Sequence, residues 1–152
     1  HPRDVMFITY LGDTAIAQKD YAAAERRYLA ALQIQPENPM VLNNLAWVSQ
    51  QLHKDGALAY AASANRLMPN QPAFMDTWAM LLSAKGDHNA AIELQTKALE
   101  MQPSNASLRL NLAKIYLAAG DKSRAKTELD VLAKLGEHYP AQPEVASLLK
   151  SL

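Results

Sequence analysis

The chain has no cysteine, so thiolate nucleophiles, thiolate metal ligands and disulfides are excluded together. Its four histidines, His1, His53, His88 and His138, are scattered. Helical metal ligands need spacings of i, i+3 or i, i+4 on one face. Lys54-Asp55 follows His53 and Asp87 precedes His88, but neither makes such a set, and both histidines read as solvated turn residues. There is no nucleophile elbow, and with only 5 glycines there is no phosphate-cradling loop. Asp and Glu are dispersed along helix exteriors rather than paired for acid–base work. The cluster Glu25-Arg26-Arg27 reads as a solvated outer face. No catalytic constellation, metal or cofactor is expected, and the chemistry that remains is recognition.

Composition narrows the partner. The 152 residues carry 15 Lys+Arg and 15 Asp+Glu, a formal net charge of +0. A nucleic-acid binder needs clustered cations for phosphate contacts, and a membrane-surface protein needs a polybasic patch, so neither is expected. No apolar run approaches the ~20 residues of a membrane span, so no direct membrane insertion is expected. At 49% hydrophobic, the chain has enough apolar surface to fold. It begins His1-Pro2-Arg3-Asp4, without Met and without a signal peptide, and is read as a fragment or processed form.

The elements that position these residues follow from an internal period. Pro36, Pro69 and Pro103 stand 33 and 34 residues apart. Leu11-Gly12, Leu45-Ala46, Trp78-Ala79 and Leu112-Ala113 repeat at 34, 33 and 34. Ala24, Ala57, Ala91 and Ala125 repeat at 33, 34 and 34, and Gly86-Asp87 returns as Gly120-Asp121. Within a unit, Val5, Ile8, Leu11, Gly12 and Ala15 fall on one helical face; after Lys19-Asp20, Tyr21, Ala24, Tyr28, Ala31 and Leu32 mark a second helix. Pro36 stops it for want of an amide proton. Pro39 and Pro72 suit a first helical turn, and Ser104 and Asn105 are candidate caps.

The expected units are 5–38, 39–71, 72–105 and 106–139, with the second one residue short in its turn near His53-Lys54-Asp55-Gly56. In the fourth, the helix is expected to continue to Leu135, with Gly136 as its stop. Residues 143–152 make one more amphipathic helix that caps the end. A helix pair cannot bury both of its faces alone, so stacked pairs are expected: an all-α solenoid of four hairpins in a single array over residues 1–152. Gly12, Ala46, Ala79 and Ala113 are where the first helix must approach the second closely.

These residues resemble the tetratricopeptide repeat: Leu11-Gly12, Tyr21, Ala24, Tyr28, Ala31 and Pro36 fall on that family's signature positions. Trp78 departs from the usual leucine. The resemblance implies a right-handed α-α superhelix whose first helices line a concave groove for a protein or peptide partner. It places Met6, Thr9, Asp13, Ile16 and Ala17 of the first unit inward, then Met40, Asn43, Trp47, Gln50 and Gln51. Ala73, Asp76, Met80, Ser83 and Ala84 follow from the third, and Ser107, Leu110, Lys114, Leu117 and Ala118 from the fourth. Asn44 and Asn111 share the sixth position and could clamp a peptide backbone or only suit local packing. Trp47 is either an exposed anchor or a ring packed between neighbouring units. The carboxylate clamp that some members use is absent, because Ala73 and Thr77 stand where Lys and Arg are needed.

Asn43-Asn44-Leu45-Ala46-Trp47, Met68-Pro69 and Asp76-Thr77-Trp78-Ala79 are similar to the C-terminal repeats of bacterial tetratricopeptide lipoproteins of exopolysaccharide-linked PEP-CTERM/exosortase sorting systems. That similarity implies a periplasmic, lipid-anchored protein, against a cytoplasmic alternative. The expected function is a non-catalytic scaffold that binds a partner through its groove. The alternative is a structural spacer, or a docking domain serving a glycosyltransferase or other envelope-assembly enzyme. The uncapped N-terminal face around Val5, Phe7 and Ile8 is expected to expose apolar surface for self-association.

Overall fold

A computed structural model describes residues 4–152, and every regular element among them is helical. His1 lies outside the described residues. The order is α1 (Val5–Ala17), α2 (Tyr21–Ile34), α3 (Pro39–Gln51), α4 (Ala57–Leu67), α5 (Pro72–Ala84), α6 (His88–Met101), α7 (Ala106–Ala118) and α8 (Lys122–Ala133). A 3-10 turn at Gly136–His138 and α9 (Gln142–Lys150) follow. The chain forms two compact units, one up to Leu81 and the other from Leu82 to Leu152, with the boundary inside α5.

Side-chain caps explain where the helices start. Asp20 accepts the Ala23 amide at 2.9 Å, and Asp87 and Asp121 do the same for Ala90 and Arg124. Asn38 and Asn105 cap α3 and α7 through Val41 and Leu108. Each satisfies one of the amides that a helix leaves without an internal partner, worth typically ~1 kcal/mol. Of the two caps expected before α7, Asn105 is the one used.

The second hairpin differs from expectation. Its missing residue comes out of the helix, not the turn: α4 has 11 residues where α2 has 14. The turns match as far as the left-handed residue, Lys19 at φ 59 and His53 at φ 54, a place taken by Gly86 and Gly120 in the later hairpins. The next residue is an aspartate in the other three hairpins and Lys54 here. Lysine has no acceptor and cannot cap. The helix therefore begins later, behind Gly56 at φ 93, and Lys54 instead reaches Glu25 at 2.6 Å. In the fourth hairpin, α8 ends at Ala133, two residues before Leu135, and Gly136 adopts φ 69.

In the first unit, Ile8, Ala24, Tyr28, Ala31, Val41, Leu45 and Val48 form a core shared by α1, α2 and α3. Phe74 and Leu81 extend it by packing on Leu42 and Ala64, and on Ala46 and Ala61. Asn65 fastens α4 to α5 by donating to the Phe74 carbonyl at 3.0 Å. In the second unit, Leu110, Ala113, Leu129 and Leu132 close around Val145 of α9, which is fully buried.

Candidate binding cleft

Four side chains of α1 lie on the face defined by i, i+3 and i+4 steps: Met6, Thr9, Tyr10 and Asp13. Asp4 caps this helix by accepting the Met6 amide at 2.9 Å, and the Thr9 hydroxyl donates to the Val5 carbonyl. The end of α2 and the start of α3 face them with Ile34, Gln35, Asn38, Met40 and Val41. Together they line a cleft of about 740 Å³. Its walls are apolar and exposed: Met6 is 82% accessible, Tyr10 64% and Met40 59%.

The polar end of the cleft is organised by a network. Asp13 Oδ1 accepts the Tyr28 hydroxyl at 2.5 Å and the Asn44 amide at 3.2 Å. Tyr28 is wholly buried, and its ring lies where a side chain at position 12 would be: a Cβ on Gly12 would stand 2.5 Å from Tyr28 Cε1. The small residue thus admits the ring that carries the hydroxyl to Asp13. Among the described residues, no cation pairs with Asp4 or Asp13, and both carboxylates belong to the cleft lining.

Burial, and then the hydrogen bond and negative charge of Asp13, push the Tyr28 phenol well above its ordinary 10.0. The folded state therefore keeps a proton that the unfolded chain gives up at about pH 10. Stability from this group is intact below pH 10 and falls above it, by at most ~1.4 kcal/mol per pH unit. Unfolding midpoints of wild type and Tyr28→Phe between pH 8 and 11.5 should converge as pH rises. A constant difference would remove the assignment.

The expected groove residues divide between the units. Met40, Asn43, Asn44, Trp47, Gln50, Asp76 and Met80 lie in the first, Asn111 and Lys114 in the second. Of these, only Met40 lines the cleft, together with Met6, Thr9 and Asp13, which were also expected to face inward. Asn43 is buried, and its Oδ1 has no hydrogen-bond partner. Asn44 is half-buried, with its amide engaged by Asp13. Trp47 is half-buried against the core that α1, α2 and α3 share, with its ring edge-on to Tyr21 of α2, centroids 5.6 Å apart. Gln50 and Met80 are partly exposed, and Asp76 and Asn111 are engaged in interactions of their own. Lys114 pairs with Glu144 of α9 at 2.6 Å.

Tyr10, Ile34 and Gln35 line the cleft and were not expected there. The last two sit at the end of a second helix, a place no first-helix pattern points to. Among the described residues, no group of three or more His, Asp or Glu could hold a metal ion. No described helix is long and apolar enough to cross a membrane.

Two family models, each described as tetratricopeptide repeat, match residues 10–72 and 82–152. The chain is 30% identical over 117 residues to the small glutamine-rich tetratricopeptide repeat-containing protein 2 of Mycosarcoma maydis, covering 75% of this chain and 33% of that protein. It thus spans about a third of the length of this curated relative. The fold is similar to that of YrrB, described as a TPR protein with an unusual peptide-binding site, at a TM-score of 0.76 and 20% identity. That match covers 99% of this chain and 76% of YrrB. It is similar also to PilF of Pseudomonas aeruginosa, with a TM-score of 0.73, 26% identity, and coverage of 95% of this chain and 67% of the other.

Proposed function

The chain belongs to the tetratricopeptide repeat family, and from that premise we propose that it is a non-catalytic scaffold whose α1–α3 cleft binds an extended segment of a partner protein. The observation that carries this reading is the pairing of exposed Met6, Tyr10 and Met40 with a carboxylate that Tyr28 and Asn44 hold in place. Methionine and tyrosine offer adaptable contact area at low cost in order. A positioned carboxylate gives the segment polarity and register. The occupant is an apolar side chain with a Lys or Arg one or two residues away, chosen by charge complementarity with Asp13 and Asp4. YrrB, described as a peptide-binding member, supports the class of ligand.

The envelope setting belongs to the same proposal: a periplasmic, lipid-anchored protein serving exopolysaccharide-linked sorting. Its support is the phrase Asn43-Asn44-Leu45-Ala46-Trp47 and its companions.

Selection of extended peptides from a displayed heptapeptide library tests the cleft. The enriched sequences should pair an apolar residue with a nearby Lys or Arg. Asp13→Asn keeps an acceptor for Tyr28 but removes the charge. It should weaken the best synthetic peptide about tenfold, equivalent to ~1.4 kcal/mol. Met40→Asp should abolish binding, and Trp47→Ala measures any contribution from that ring. A consensus without a cation, or binding indifferent to Met40→Asp, would overturn the proposal.

A further inference from the structure

The turn between α2 and α3 carries a hydrogen-bond relay whose direction is fixed at its root. The Val41 backbone N–H can only donate, and it donates to Asn38 Oδ1 at 3.1 Å. The other arm of the Asn38 amide is therefore its nitrogen, and Nδ2 donates in turn to Gln35 Oε1 at 3.0 Å. The Gln35 oxygen is thereby occupied, and the free arm of that amide is Nε2, a donor. Among the described residues Nε2 has no acceptor. Gln35 is exposed and lines the cleft with Met6, Asp13 and Met40.

The same relay stands between α6 and α7. There the Leu108 amide donates to Asn105 Oδ1 at 3.2 Å, and Asn105 Nδ2 donates to Gln102 Oε1 at 3.0 Å. Gln35-Pro36-Glu37-Asn38 and Gln102-Pro103-Ser104-Asn105 share the spacing that builds it, so the glutamine is oriented by its own turn. A glutamine side chain normally loses rotamer freedom when it binds. Asn38 already restrains Gln35, which lowers the cost of using its donor.

We infer that Gln35 Nε2 donates a hydrogen bond to a backbone carbonyl of the segment bound in the cleft, with Asn38 as the residue that positions it. This rests on the cleft reading above and adds a second kind of recognition to it. Asp13 reads the charge of a side chain, and Gln35 reads the main chain. An extended segment arrives with its carbonyls unpaired. A helix has taken its own carbonyls along most of its length. The Gln35 donor thus selects an extended occupant over a helical one.

The probe is the tightest heptapeptide from the library selection, with analogues in which one carbonyl oxygen at a time is replaced by sulfur. A thioamide is a weaker acceptor and keeps its N–H. One position should cost about fivefold in affinity, within the worth of a neutral hydrogen bond. Gln35→Leu should weaken the parent peptide by a similar factor and be indifferent to sulfur at that position. Asn38→Ser keeps a cap for α3 but has no amide to hold Gln35. It should weaken the parent peptide while the unfolding midpoint stays near that of wild type. Asn105→Ser, the same change in the other relay, should leave peptide binding unaltered. A thioamide scan that reads alike on wild type and Gln35→Leu overturns the inference, and the cleft reading survives if binding still depends on Asp13 and Met40. Undiminished binding by Asn38→Ser overturns the positioning role of Asn38. Binding indifferent to Met40→Asp overturns the cleft reading and this inference with it.

Discussion

Replacing Gly12 by alanine should destabilise the first unit by about 1–3 kcal/mol, the usual cost of overpacking a well-filled core. Helix propensity alone predicts the opposite, a gain of roughly 1 kcal/mol for a glycine inside a helix. Packing decides the sign here, because the new Cβ would lie 2.5 Å from Tyr28 Cε1 and 2.9 Å from two further ring atoms. The ring cannot swing away, since it is fully buried and its hydroxyl is tied to Asp13. The fourth hairpin solves the same contact differently, with Ala113 against Leu129. Gly12→Ala with Tyr28→Leu should therefore recover much of the loss, giving a favourable coupling of about 0.5–3 kcal/mol in a double-mutant cycle. Urea titrations of the four proteins measure it. A Gly12→Ala chain as stable as wild type would show that the close approach does not exist.

Leu129→Ala should cost more, about 2–5 kcal/mol, because it empties a fully buried leucine site. Leu129 touches the buried cluster that seats α9, so docking of Val145 should weaken with it. In a repeat chain, stability is nearly a sum of neighbour terms. The loss should then concentrate between Leu82 and Leu152, one of the two compact units. Amide hydrogen exchange on wild type and variant reads this directly: faster exchange across α7, α8 and α9, with little change in α1–α3. Equal acceleration in both units would contradict the local origin of the effect.

The two sites explain why part of the architecture could be read without coordinates. The prolines, the Asn105 cap and the small residues act over one helical turn or one hairpin, so their spacing alone places the helices. Pro39 and Pro72 begin α3 and α5, and Asn105 caps α7. The second hairpin escaped this reading because a missing residue does not say which element gives way. It was settled by the inability of Lys54 to cap, and by its use as the partner of Glu25. The cleft was legible only in part. Met6, Thr9, Asp13 and Met40 follow from first-helix positions, but Ile34 and Gln35 come from the end of α2, brought in by the path of the connection to α3.

Sequence alone determined the period, the all-helical hairpins and the close contacts at small residues, because each rests on steric or hydrogen-bonding rules that span a few residues. Tertiary structure decided what those hairpins present. It brought Asn44 to Asp13 across 31 residues and sank Trp47 against Tyr21. It also seated Val145 of α9 against Leu129 and Leu132. Such outcomes depend on which buried side chains fill the space between helices far apart in the chain, and the spacing of residue types does not encode that.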